Sequence, residues 1–416
     1  MIDPNILKEN PEVLKENLKR RNLSISIDEL NSLDQDRRKT RQQANEIRSE
    51  QKKLSNEISL LKGEEREKAL DKASALSSKV KQAATKAEGA EKLFFDTWVK
   101  IPNLVDESSP TGDSEEENKE IKKVGEPKDI KSPKTHLMLG EELNILDVQK
   151  ASIVSGSRFS YLLGSGVIIE LNLVKWVVNL LNEKGFNPVI PPVLVRENAL
   201  YGTGFFPDDA EQVYSIPEDD LYLVGTSEVS LAAFHSDSSL DLDSLPMRYA
   251  GFSTCFRREA GTYGKDTTGI FRVHQFDKVE MFSFCDSESS KDEHEYLLSV
   301  EEEILQALEI PYRIVDVCTG DLGSSAAKKY DIEAWIPSEG RYREVTSCSN
   351  TTDYQARRLN IRTKKDNSSE FVHTLNGTAI AVGRVLIALL ENNQKDDSSI
   401  VFSDKVAEII GYSTLG

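Results

Sequence analysis

Between residues 30 and 98 the apolar residues keep to heptad positions in a stretch otherwise rich in Lys, Glu, Gln and Ala and free of proline. Leu33, Ile47, Leu54 and Leu61 share one seven-residue grid, with Leu30, Ala44 and Ile58 on the companion position. After Gly63 a second grid begins: Ala69, Ala73, Leu76, Val80, Ala83, Ala87, Ala90 and Phe94, spaced alternately four and three. Two heptad helices with a break between them predict an antiparallel coiled-coil hairpin. The alanines of the second helix allow close approach of the two. At a rise of 1.5 Å per residue, helices of about 32 residues make an arm of roughly 45–50 Å.

The pattern changes after the arm. Residues 102–135 hold Pro102, Pro110, Pro127 and Pro133 and the acidic run Asp113-Ser114-Glu115-Glu116-Glu117, with little apolar material; they read as a linker or surface loop. From 136 onward, amphipathic helical patterns at 168–184, 290–308 and 379–391 mix with β-rich segments such as 221–225 and 249–256. Regular β-α-β alternation is missing, which predicts an α+β domain with an antiparallel sheet flanked by helices. The expected organisation is an N-terminal arm domain at 1–101, a linker at 102–135 and a catalytic domain at 136–416.

Composition narrows the class. A chain of 416 residues suggests two or three domains. No apolar run reaches 18 residues, and no basic segment followed by an apolar one opens the chain, so neither a membrane span nor secretion is expected. Four cysteines form no C-x-x-C pair and five histidines no H-x-x-x-H, so no zinc site or disulfide framework is expected, and a reducing cytoplasm fits best. The net charge of −18 argues against indiscriminate coating of nucleic acid. Residues 31–100 nonetheless carry 16 Lys/Arg against 12 Asp/Glu, a local +4 that leaves −22 elsewhere. An acidic body with a mildly basic arm suits a polyanion gripped at one place.

Reactive residue types concentrate in four segments. The stretch 256–281 reads as two strands joined by a glycine-punctuated hairpin loop. Alternation would put Arg257 and Glu259 on one side with Arg258 turned away, and would align Arg272, His274, Phe276, Lys278 and Glu280. A face that only needed packing would be Val, Ile or Leu; this one suits a charged, planar ligand such as a nucleotide. Thr226 and Glu228 follow a strand, and Glu344, Thr346 and Ser347 offer a carboxylate and two hydroxyls suited to a hard cation such as magnesium. His373-Thr374-Leu375-Asn376-Gly377-Thr378 runs from a strand into a helix carrying Arg384. There is no phosphate-loop or G-x-G-x-x-G fingerprint.

Taken singly, these signals have plainer readings. An Arg–Glu alternation is equally a solvated ion pair, Phe276 a core residue, Thr226-Ser227-Glu228 a helix N-cap, and Glu344 a surface carboxylate. His274 reads as a structural hydrogen bond, and the basic residues of the arm as the solvated face of a coiled coil.

Together the segments resemble the seryl-tRNA synthetases of bacterial type, which are class II aminoacyl-tRNA synthetases. The likeness covers nearly the full length. Residues 185–192 match the first class II signature, 256–281 the second and 375–391 the third. The resemblance implies a homodimer, joined through the first signature, that uses ATP with Mg2+ to activate L-serine and charges tRNA(Ser), with tRNA(Sec) a further candidate. It implies ATP contacts at Arg257, Arg258, Glu259, Val273, Phe276, Glu344, Val345, Thr346, Ser347 and Arg384, with Arg257 and Arg384 catalytic. Arg257 would hold the α-phosphate, Glu259 the adenine amino group and Arg384 the γ-phosphate, while Phe276 would stack on the purine. Glu344 and Ser347 would ligate Mg2+. Serine contacts fall at Thr226, Ser227, Glu228, Arg257, Lys278, Glu280, Asn376 and Thr378, with Glu280 accepting from the serine hydroxyl. The tRNA would meet the coiled-coil arm and the hairpin loop.

Two departures stand out. Lys265 and Thr268 occupy loop positions where relatives often carry arginine, and Thr378-Ala379 stands where serine-glycine is common. Two rival readings remain: a paralogue that loads a small amino acid onto a carrier protein, and a coiled-coil scaffold with a degenerate catalytic domain.

Overall fold

The computed structural model describes residues 1–261, 268–365 and 368–416. The chain divides into two compact units, Ile2–Pro102 and Asn103–Gly416, the latter together with Met1. After a single helical turn at Ile6–Glu9, the smaller unit is built of a short helix α1 (Pro11–Arg20) and two long ones, α2 (Ile27–Ile58) and α3 (Glu64–Trp98). Ser26 caps α2 by accepting from the Glu29 amide at 3.2 Å. Gly63, at φ +61°, makes the turn into α3, a conformation that L-residues with a side chain rarely adopt.

α2 and α3 pair as the heptads predict. Most grid residues, including Ile47, Leu54, Ala73 and Val80, are only half buried, because in a two-helix hairpin each seam is covered from one side. The base is different. There Leu30, Phe94 and Trp98 are fully buried, the Phe94 and Trp98 rings stack at 5.5 Å, and Arg37 lies over Phe94 at 4.4 Å while bonding Asp34 at 2.6 Å.

The larger unit is built on eight strands: β1 (Lys119–Val124), β2 (Asn187–Val189), β3 (Met247–Phe256), β4 (Gln275–Cys285), β5 (Tyr312–Asp316), β6 (Lys328–Ile336), β7 (Arg341–Asn350) and β8 (His373–Ala381). Their order is β1-β5-β6-β7-β8-β4-β3-β2. Every neighbouring pair is antiparallel except β2 with β3. One face is covered by helices α4 (Ser165–Glu183), α6 (Ser290–Ala307) and α7 (Val382–Asn393), which bury Leu173, Leu297 and Leu386 with Val279 and Met281 of β4. A six-residue helix, α5 (Glu228–Ala233), belongs to the other side.

The segment 102–135 departs from the linker expected of it. β1 is an edge strand of the main sheet, paired with β5. The Asn103 side chain is buried, donating to Ser325 O at 2.9 Å and to Thr351 O at 2.7 Å. The strand is Lys119-Glu120-Ile121-Lys122-Lys123-Val124, charged and exposed over most of its length as suits a sheet edge, so no apolar alternation marked it in the sequence. Among the described residues no helix is long and apolar enough to cross a membrane.

Candidate active site

The uncovered sheet face forms two cavities. The larger, about 540 Å³, is lined by Arg257, Glu259, Phe276, Glu344 and Arg384 among others. The smaller, about 210 Å³, is lined by Thr226, Glu228, Glu280 and Asn376 among others. Arg257, Lys278, Lys329 and Ser347 are among the residues that border both. Further along β4 the same face carries Phe282 and Phe284, packed beneath Leu231 of α5 and Leu359, so hydrocarbon closes the sheet beyond Glu280.

Arg257 and Glu259 do reach one cavity, but strand alternation is not the reason. β3 ends at Phe256, and Glu259 has φ +51°, a left-handed conformation uncommon for a residue with a side chain. Arg272 Nη1 donates to Glu259 Oε2 at 2.9 Å. Arg257 Nε donates to Gly225 O at 3.1 Å, with its guanidinium 5.2 Å from the Phe276 ring centre. Arg258 turns toward the Tyr214 ring, 5.8 Å away, and lies outside both cavity linings. His274 Nδ1 meets Arg257 O at 2.9 Å and serves the hairpin backbone. On β4 the alternation is regular, bringing Phe276, Lys278 and Glu280 to the cavity side; Val273, before the strand, also lines the larger cavity.

A bulge decides the geometry of β7. Thr346 pairs with Ile332 and Glu344 with Glu333, which leaves Val345 without a partner on β6. The extra residue shifts the alternation, so Glu344 and Ser347, three apart, both face the larger cavity. Val345 borders it too. Thr346 does not. Its hydroxyl donates at 2.7 Å to Glu301 Oε2 of α6, so the two hydroxyls expected side by side are separated. A second bulge, at Ala379 of β8, lets Thr378 and Ala381 both line the larger cavity.

The floor of the smaller cavity is a polar cluster. Lys278 and Glu280, 5% and 2% exposed, form an ion pair. Thr226 Oγ1 accepts from Lys278 Nζ at 2.9 Å and donates to Glu280 Oε2 at 3.1 Å. It also accepts from the Glu228 amide at 3.2 Å, while Ser227, the N-cap residue of α5, makes no capping bond with its side chain. Ser227 is not brought into the cavity: its hydroxyl is buried and donates to Gly251 O at 3.2 Å. Glu228 accepts from Gln355 Nε2 at 2.7 Å. Burial, and next the charge of Glu280, push the Glu228 carboxyl up to about 7, against Gln355, Lys278 and Asn376.

Glu344 sits at the rim, its side chain 46% exposed, accepting from Arg384 Nη1 at 3.1 Å. Desolvation opposes its charge, but Arg384, Lys329 and Arg257 hold the carboxyl down to about 2. It is therefore ionised throughout the neutral range. Among the described residues no group of three or more His, Cys, Asp or Glu is placed to hold a metal ion, and the four cysteines are buried and free. Lys265 of the hairpin loop lies outside the described residues; Thr268 is exposed.

Several residues that line the cavities or lie buried behind them carry no sequence motif. Gln355 comes from a short helix 127 positions beyond Glu228, and Asp209 borders both cavities from a loop. Lys329 and Asp331 had one legible signal, charged residues alternating with Tyr330 and Ile332 in the middle of a strand.

An antiparallel sheet that presents paired arginine and carboxylate groups over a nucleotide-sized cavity is the catalytic unit of class II aminoacyl-tRNA synthetases. Residues 212–393 match the family described as tRNA synthetase class II core domain (G, H, P, S and T), and residues 1–105 match the seryl-tRNA synthetase N-terminal domain. A serine–tRNA ligase of Acidothermus cellulolyticus is 47% identical over 417 residues, covering 100% of this chain and 99% of that one. The structure of a Pyrococcus horikoshii seryl-tRNA synthetase complexed with ATP superposes with a TM-score of 0.91 at 40% identity, covering 100% and 99% of the two chains. A cytoplasmic serine–tRNA ligase of Naegleria fowleri in complex with AMP gives 0.88 at 31% identity, covering 100% and 98%. The chain belongs to the seryl-tRNA synthetase family.

Proposed function

We propose that this chain joins L-serine to ATP as seryl-adenylate and passes the seryl group to the 3′-terminal adenosine of tRNA(Ser). The observation that carries this reading is the pair of adjoining cavities with Arg257 on both. The larger suits ATP, which solved relatives of the family bind as ATP or AMP. Phe276 offers a face to the adenine, and Glu259, steadied by Arg272, offers an acceptor to its amino group. Arg257 suits the α-phosphate because a guanidinium forms paired, charge-assisted bonds to phosphate oxygens. Arg384 suits the γ-phosphate.

The smaller cavity suits serine. Glu228 would take the ammonium group, with Asn376 and Thr378 enclosing the backbone, and Glu280 would accept from the hydroxyl. A site with such an acceptor rejects alanine strongly, because alanine leaves the buried acceptor unpaired. Serine's own carboxylate attacks the α-phosphorus, so no side chain need act as nucleophile. Catalysis is positioning and charge stabilisation.

Mg2+ fits the residues present. An ionised Glu344 and the Ser347 hydroxyl on one face give two oxygen ligands, enough for an ion that keeps waters and takes phosphate oxygens for the rest. When bound, it would neutralise charge on the departing pyrophosphate.

The homodimer is supported by the apolar surface around α4 and β2. Leu171 is 57% exposed and Ile190 83%, with Ile168 beside them on α4. Monomeric proteins seldom expose such a cluster. The exposed surface of the arm, with its local positive charge, is proposed to lie against the tRNA. Serine-dependent ATP–pyrophosphate exchange by purified protein tests the whole reading. Exchange that is faster with another amino acid, or missing with serine, would sink it.

A further inference from the structure

β6 sends Lys329 and Asp331 from alternate positions to the cavity side of the sheet. Lys329 Nζ donates to Asp331 Oδ2 at 3.0 Å. The other carboxylate oxygen, Asp331 Oδ1, is buried and has no hydrogen-bond partner among the described residues. Asp331 stands opposite Ser347 in the β6–β7 ladder. A buried pair of this kind, one oxygen left unsatisfied, is poor as a stabilising device. Its position suggests another use.

The reacting atoms, a carboxylate oxygen and the α-phosphorus, must meet where the two cavities join. Among the described residues three cations border both: Arg257, Lys278 and Lys329. Lys278 is committed to Glu280 and Thr226 at the floor. Lys329 is thus placed with Arg257 at the junction. Burial opposes its charge, but Asp331, then Glu344 and Asp321, raise its pKa, so the ammonium persists at any working pH.

We propose that Lys329 is a second cation of the adenylation step, donating to a non-bridging oxygen of the α-phosphoryl group while Asp331 aims it. In that step a serine carboxylate oxygen forms a bond to the α-phosphorus. The bond from that phosphorus to its β-bridging oxygen breaks, and pyrophosphate leaves with the electron pair; no proton moves. Negative charge crowds onto the α-oxygens as the fifth bond forms, so a cation fixed there helps the transition state more than the bound substrates. The inference rests on the synthetase reading above.

The test compares wild type, K329M and K329C in serine-dependent ATP–pyrophosphate exchange. K329M is expected to lower kcat by roughly 10²-fold with KM for ATP and serine little changed. K329C treated with 2-bromoethylamine regains an ammonium of nearly the native length, and most of the lost kcat is expected to return. Treatment with iodoacetamide, which adds a neutral group, is expected to restore nothing. The four native cysteines are buried, and treated wild type controls for them. The modification series decides the matter even if K329M does not fold. Equal kcat in K329M and wild type, or equal recovery with both reagents, overturns the role of Lys329. A wild type without exchange overturns the synthetase reading and the inference with it.

Discussion

Thr346 and Ser347 are consecutive hydroxyl residues on β7 whose side chains part to opposite faces of the sheet. Thr346 donates to the buried Glu301 at 2.7 Å, whereas Ser347 borders both cavities. Behind Thr346, a Cβ placed on Gly377 of β8 would stand 2.8 Å from Glu301 Oε1. The carboxyl of Glu301 thus occupies the space a side chain at 377 would need.

The two hydroxyls are expected to fail differently. T346V leaves a buried carboxyl without its donor and should cost about 1–3 kcal/mol of stability, seen as a lower Tm, with exchange activity retained well below that temperature. S347A should leave Tm nearly unchanged and raise the Mg2+ concentration needed for half-maximal exchange. The reverse pattern would show that Ser347 does not serve the ion.

Glu228 sets a pH dependence for serine. Its folded-state pKa, near 7, lies above the ordinary carboxylate value of 4.5. The folded protein therefore holds the extra proton between about pH 4.5 and 7, and its contribution to stability is present at low pH and lost as pH rises through 7. Binding the serine ammonium requires the ionised form. KM for serine in the exchange reaction should then rise as pH falls below about 7, and E228Q should have a high KM with no such slope. A wild-type KM that is flat from pH 6 to 8 would remove Glu228 from contact with the ammonium.

Glu280 and Lys278 form a buried pair whose halves depend on one another. E280A strands the Lys278 ammonium and should destabilise the protein by roughly 3–5 kcal/mol. E280Q keeps the shape and an acceptor at smaller cost. In E280Q the ratio of serine-dependent to alanine-dependent exchange should fall, since the charged acceptor for the hydroxyl is gone. An unchanged ratio would place the hydroxyl elsewhere.

Shortening the arm separates the two half-reactions. Joining residue 47 to residue 83 through a short Gly-Ser turn removes the outer part of α2 and α3 and keeps the Leu30, Phe94 and Trp98 base. Exchange should survive intact, while charging of tRNA(Ser), measured with labelled serine, should be lost. Full charging would show that the distal arm makes no productive contact.

The arm could be read from the chain alone because heptad periodicity is local: each helix writes its own seam, and Gly63 marks the break. The antiparallel α+β class and most cavity residues were likewise legible, since charged types sit where a packing face would be apolar. Long-range placement was hidden. That β1, inside a proline-rich acidic stretch, is the edge of the main sheet depends on β5, nearly two hundred residues later. That Glu344 joins Ser347 while Thr346 turns away depends on one unpaired residue, Val345, and a bulge arises between two strands rather than within one. Gln355 reaching Glu228 and Lys329 reaching the cavity junction are likewise products of assembly, because side chains with no local motif acquire a role only from what the folded sheet sets beside them.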